Sequence, residues 1–192
     1  IGVFKSLAND TAADKTLFVF VTIKSPNDVA SIENKINADA DYQTAGAAYI
    51  NTDYKSPVYS RKEVIIAEAF PLAPKMKLPQ LKSAKNERVY ELRSYESVSE
   101  KIFANKVKMF NDGDEVGLFA RLNFNAVFYS SVIAGSKMPN LMYMTTFENM
   151  KDRDEHWKAF GADEYWKKLS SMPEYQNNVS HIDIMFLRPA DY

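Results

Sequence analysis

Five residues in two short stretches of this chain carry side chains suited to chemistry: Glu91, Arg93 and Tyr95 in the first, His181 and Asp183 in the second. Alternation along an extended segment puts Glu91, Arg93 and Tyr95 on one face and Tyr90, Leu92 and Ser94 on the other. In the same way His181, Asp183 and Met185 alternate with Ile182, Ile184 and Phe186. An arginine in such company can clamp an anion or a carbonyl oxygen, and a histidine can shuttle a proton near neutral pH. The plainer reading is favoured: Arg93 pairs with Glu91 or Asp183 and locks two sheets together, because interior charges are usually paired. A second histidine, His156, follows Asp152 by one helical turn, a spacing that can bind a metal. No third ligand is evident, so a solvated helix surface is expected there, and neither a metal nor a cofactor is assigned.

Other chemistry is excluded by what the chain omits. It has no Cys, hence no disulfide, no thiolate metal site and no thiol nucleophile. With only 6 Gly, it shows no phosphate-binding loop, no dinucleotide glycine motif and no nucleophile elbow. A net charge of −1 argues against a nucleic-acid partner bound through bulk charge. No apolar run reaches the ~20 residues of a membrane span. The apolar share of 46% over 192 residues supports a sizeable core and a soluble globular protein. Composition does not separate cytoplasm from periplasm.

The elements that must position these residues follow from pattern. The apolar run at 17–21 reads as a strand buried on both faces, with 3–7 as its partner and 9–15 as the loop between them. A helix is expected after Ser25-Pro26-Asn27-Asp28, with Val29, Ile32 and Ile36 on one face. Strands are expected at 64–70, 89–95, 124–131, 141–147 and 182–187. Ser97 and Glu100 have capping-box spacing, starting a helix whose apolar face is Ile102, Phe103, Val107 and Phe110. Asn111-Asp112-Gly113-Asp114 interrupts this helix before Val116, Phe119 and Leu122; further helix is expected at 152–160 and 163–169. Residues 71–87, with Pro71, Pro74 and Pro79 and four lysines, read as a solvated linker.

Part of the chain occurs twice. Gly2-Val3-Phe4-Lys5-Ser6 matches Ala126-Val127-Phe128-Tyr129-Ser130, about 124 positions on, and 17–23 matches 141–147 at the same offset. Residues 38–42 then match 161–165 with the offset slipped by one. Three regions are therefore expected: a first repeat at 1–70, the linker at 71–87, and a second repeat at 88–192. The second repeat has the order β-α-β-β-α-β, the ferredoxin-like split unit. The first lacks the counterpart of the opening strand and helix, roughly 36 residues by the repeat offset. A sheet does not readily lose a central strand, so the natural protein is expected to carry that segment upstream of Ile1.

The stretch Arg88-Val89-Tyr90-Glu91-Leu92-Arg93-Ser94-Tyr95 resembles the opening strand of NIPSNAP domains. The strand at 141–147, the helix with His156-Trp157 and the turn Glu164-Tyr165-Trp166 resemble the rest of that domain. The resemblance covers about residues 88–190, with 1–70 as a degenerate second copy. It implies an α+β fold: tandem ferredoxin-like units forming a dimeric α+β barrel, with helices outside. On that fold Leu92 faces the helices, and Glu91, Arg93, Tyr95, His181 and Asp183 line the barrel interior around a small-molecule ligand. The function expected is that of a small-ligand or protein-binding barrel. The alternatives are a cofactor-independent oxygenase or isomerase working in the interior and, more weakly, haem binding through His156 or His181. A homodimer of the tandem chain is expected as a further level of assembly.

Overall fold

The computed structural model describes residues 2–8 and 15–190. Seven strands form one antiparallel sheet: β1 (Gly2–Ser6), β2 (Leu17–Phe20), β3 (Ile66–Ala69), β4 (Val89–Glu96), β5 (Phe128–Ala134), β6 (Asn140–Phe147) and β7 (His181–Pro189). Their order across the sheet is β2-β1-β7-β4-β6-β5-β3. Of the loop expected at 9–15, residues 9–14 lie outside the described residues. Seven helices are described: α1 (Asp28–Ala38), α2 (Ala40–Ala45), α3 (Ala47–Ile50), α4 (Glu100–Asn111), α5 (Glu115–Arg121), α6 (Met150–Ala162) and α7 (Glu164–Ser171).

The chain forms two compact units. Residues 21–64 make the smaller one, which holds α1–α3, a Lys62–Glu33 ion pair of 2.9 Å and a Tyr49–Tyr59 ring contact. None of its helices has a buried residue. All seven strands and α4–α7 belong to the larger unit.

In the larger unit β4 is central, paired along its length with β6 and β7. One face of this trio carries an aromatic core. Tyr95, Phe110, Phe119, Phe124, Tyr129, Tyr143, Phe147 and Phe160 pack there under Trp157 and Trp166. The opposite face carries Phe4, Tyr90, Leu92, Val127, Met144 and Leu187, with Phe18 and Phe20 against them. This second cluster shows that the sheet curls. Phe20 on β2 stacks on Phe128 of β5 with ring centroids 4.8 Å apart. Five strand spacings separate β2 from β5 in the sheet order, about 24 Å if the sheet were flat.

Two expectations are corrected. The apolar run at 17–21 is not buried on both faces: among the described residues β2 ends the sheet, and Leu17 and Val19 are exposed while Phe18 and Phe20 turn to the concave face. The capping box at Ser97 does not form. Ser99 caps α4 through Ile102 N–H, and the Ser97 hydroxyl donates instead to the Asn178 carbonyl at 2.7 Å. The interruption after α4 is as expected, and Gly113 is required there: a β-carbon would stand 2.5 Å from the Met109 carbonyl oxygen.

Residues 71–87, expected as a solvated linker, contain no helix or strand and are mostly exposed, and they are tied to the larger unit by hydrogen bonds. Lys77 N–H donates to the Val127 carbonyl, Gln80 N–H to Asn125, and Lys82 and Ser83 N–H both to the Glu148 carboxylate at 2.7–3.0 Å. The hydrogen bonds from Ser83 and Lys82 hold the Glu148 carboxyl down at about 2. A carboxyl depressed in the folded state contributes stability above its unfolded value that is lost as pH falls. The tie is therefore expected to persist at neutral pH and to release between about pH 4.5 and pH 2. Hydrogen exchange of the Lys82 and Ser83 amides across that window checks this; in Glu148→Gln the step should be absent.

Candidate functional site

The five predicted residues do not form one site. Cross-strand register places Glu91, Arg93 and Tyr95 opposite Thr145, Tyr143 and Leu141. Those partners lie on the helix-covered face. His181 and Asp183 lie opposite Glu96 and Ser94, on the concave face. The expected orientation of β4 is thus reversed. Leu92 turns to the concave cluster, and the charged set turns to the helices. The physical reason is α6, which brings a second arginine and a tryptophan onto the Glu91 carboxylate.

Glu91 is 0% exposed, and its carboxylate receives four side-chain donors. Arg93 donates from Nε at 2.6 Å. Arg153 on α6 donates from Nε at 2.8 Å and from a terminal nitrogen at 3.1 Å. Trp157, one turn further along α6, donates its indole N–H at 2.9 Å. The Arg93 guanidinium lies 3.7 Å over the Trp157 ring and donates to the Tyr95 hydroxyl at 3.0 Å, and Tyr95 is 2.7 Å from the Tyr143 hydroxyl. Burial pushes the Glu91 carboxyl up, but the Arg153 hydrogen bonds and the Arg93 charge outweigh it and hold it below the usual value. Burial and the neighbouring Tyr95 push the Tyr143 phenol far up, so it stays protonated. The favoured plain reading holds for Arg93 and Glu91. Asp183 is not part of it.

Next to this cluster, Lys106 on α4 is buried and pairs with Glu115 of α5 at 2.9 Å. Its ammonium sits 4.7 Å from the Phe110 ring centroid. Burial raises the Glu115 carboxyl, and Lys106 offsets this only in part. Lys106 also lines an open cleft of about 400 Å³ with Met109, Trp166, Tyr175 and Asn178. The Asn178 side-chain nitrogen is buried and finds no hydrogen-bond partner among the described residues.

On the concave face Glu96, His181 and Asp183 bring one ligand atom each within 4.8 Å. A cation already sits there: the Lys137 ammonium pairs with Asp183 and lies 3.9 Å from Glu96. The Lys137 hydrogen bond is the main reason the Asp183 carboxyl is lowered. His181 is exposed and contacts Asp183 at 3.2 Å. His156 is held elsewhere, its Nδ1 2.8 Å from the Asp152 carbonyl oxygen and its ring against Phe124 and Phe147. Arg153, Lys106 and Glu115 were not singled out in the sequence. Arg153 and Trp157 stand one helical turn apart, which puts both on the face of α6 turned to the sheet.

The NIPSNAP family model matches residues 90–192. Comparison with curated proteins gives no match. Among solved structures, a NIPSNAP family protein from Agrobacterium tumefaciens is 16% identical with a TM-score of 0.48, over 62% of this chain and 96% of that one. A second NIPSNAP family protein from A. tumefaciens, of unknown function, is 19% identical with a TM-score of 0.47, over 57% and 95%. An uncharacterized NIPSNAP-like domain protein from Burkholderia xenovorans is 12% identical with a TM-score of 0.48, over 55% and 88%. The family match spans more than half of the sequence, including the strand that carries Glu91 and Arg93 and the helix that carries Arg153 and Trp157, and the chain belongs to the NIPSNAP family.

Proposed function

We propose that this chain is a binding protein rather than an enzyme, built from two ferredoxin-like halves, 1–70 and 88–192, that curl into one α+β barrel. Two registers support the halves. Ser6 of β1 lies opposite Leu187 of β7, and its repeat counterpart Ser130 of β5 lies opposite Ala69 of β3. Asp39 caps α2 through Tyr42 N–H, and Asp163, at the same offset, caps α7 through Tyr165 and Trp166 N–H. The offset therefore needs no one-residue slip there.

The observation that carries the binding role is the saturation of Glu91. Its carboxylate is taken up by Arg93, Arg153 and Trp157, so neither it nor Arg93 is free to act as a base or an anion clamp. A small polar ligand fits better at the Lys106 cleft, where the ammonium paired with Glu115, an indole and the unpartnered Asn178 side-chain nitrogen converge. The test is native mass spectrometry of the purified chain against a panel of metabolites and haem. A ligand retained non-covalently and recovered unchanged, with retention lost in Asn178→Leu, is the expected result. Chemical conversion of a panel member would overturn the reading in favour of an oxygenase or isomerase. No uptake at all would move the role to a protein partner.

A further inference from the structure

We propose that Glu96, His181 and Asp183 form a site for a divalent cation of the zinc class at one end of the concave face, where the Lys137 ammonium holds the position that the metal takes. The proposal is independent of the Lys106 cleft and of the two-half reading. Glu96 on β4 and His181 on β7 stand directly opposite each other, and Asp183 follows two residues along β7 on the same face. One ligand atom from each lies within 4.8 Å of the others. Ligand atoms around one tetrahedral zinc stand ~3.4 Å apart, so the gap left to close is at most ~1.4 Å. The His181 side chain is 59% exposed and supplies that movement. The backbone beneath it is fixed: the Glu96 carbonyl accepts from Ser180 N–H at 2.8 Å, next to the Glu96–His181 row. One imidazole with two carboxylates suits zinc and its first-row neighbours, whereas calcium and magnesium take oxygen ligands.

Two further observations point to a cation with its own water. The first is Asn140, which lies opposite Glu96 on the other side, so that Asn140, Glu96 and His181 make one row across β6, β4 and β7. Asn140 is 2% exposed, and its Nδ2 donates to the Ser94 hydroxyl at 2.9 Å. Its Oδ1 is buried and has no donor among the described residues. A buried acceptor of this kind calls for a partner, and Lys137 does not serve it. A water on a metal held by Glu96 is a strong donor at the neighbouring position in the row. The second observation is the Lys137 ammonium itself, which pairs with Asp183 and lies 3.9 Å from Glu96. It brings one positive charge to two carboxylates, and a divalent ion brings two. Lys137 comes from the connection between β5 and β6 and is half-exposed, so it can leave without opening the core. The other histidine does not compete for this role, because its Nδ1 is held on the Asp152 carbonyl at 2.8 Å.

The test titrates the 192-residue chain near neutral pH with Zn2+ by calorimetry and with Co2+ by visible absorption. The expected result is one ion per chain, with visible Co2+ bands. His181→Ala should weaken binding about tenfold or more and remove the bands. Lys137→Met should tighten binding about tenfold, because the competing ammonium is gone. His156→Gln should leave the affinity unchanged. Near-UV circular dichroism shows that each variant is folded. An unchanged affinity in His181→Ala means an adventitious ion only and overturns the proposal. Loss of binding in His156→Gln instead places the metal beside Asp152 and overturns it too. Ca2+ bound as tightly as Zn2+ would reduce the site to a pair of surface carboxylates. An unchanged affinity in Lys137→Met overturns the exchange and the proposal with it, as does the absence of binding by both the parent chain and Lys137→Met.

Discussion

Glu91→Gln is expected to lower stability by about 3 kcal/mol, the low end of the range for breaking a buried ion pair. The substitution keeps the shape of the side chain and an acceptor for Trp157. It removes the one negative charge between Arg93 and Arg153, whose side chains are only 10% and 18% exposed. Two guanidinium groups then remain in a poorly solvated site, with Asp154 beside Arg153 as the remaining counter-charge and Arg93 stripped of its ion pair. At this chain length the loss corresponds to a fall of roughly 6–12 °C in Tm. Denaturant or thermal unfolding measures it, and a change under 1 kcal/mol would sink the account. A double-mutant cycle sharpens it: adding Arg153→Met to Glu91→Gln should recover part of the loss, because one stranded cation goes with it. The pH dependence follows from the lowered Glu91 carboxyl. The network's contribution is complete above the ordinary glutamate value of about 4.3 and is lost as pH falls through the lower folded value. In Glu91→Gln that acid step should be missing.

Phe119→Ala should cost more, about 3–5 kcal/mol. The Phe119 ring contacts those of Phe110, Phe124, Tyr129, Tyr143, Trp157 and Phe160, all with centroids within 6.3 Å. It is the joint between α4, α5 and α6 over the sheet, and a cavity there cannot collapse from one side only. Near-UV circular dichroism should weaken along with unfolding stability, since several of the lost contacts are aromatic pairs. A loss below 1 kcal/mol would show that the neighbours repack. Phe119→Leu, which retains most of the volume, should recover most of the effect.

Much of this frame was legible in the residues, and its failures have specific causes. β4 and β6 were readable because Val, Leu, Tyr and Met sit in runs that alternate with few interruptions. α4 was readable from Ile102, Phe103, Val107 and Phe110, but its start was not, because Ser97 and Ser99 are both good caps and only geometry selects Ser99. The helix-facing side of β4 was assigned by hydrophobicity, which put Leu92 under the helices. That rule fails where a helix supplies its own charges, as α6 does with Arg153 and Trp157. The grouping of Arg93 with Asp183 failed for a related reason. Alternation defines two faces for each strand, but cross-strand register decides which faces coincide, and here Asp183 lies opposite Ser94.

The place of β7 has a consequence for how the chain comes off the ribosome. β7 alone joins β1 to β4, through Lys5 with Arg188 on one side and Arg93 with Ile184 on the other. It follows the other six described strands in the chain. Among the described residues, the β1–β2 hairpin pairs with the rest of the sheet through β7 and must wait for it. Contacts this distant in sequence form slowly, and strands kept waiting are the ones that pair with the wrong neighbour. The strand that joins the two parts of the sheet is thus also the timer of their union.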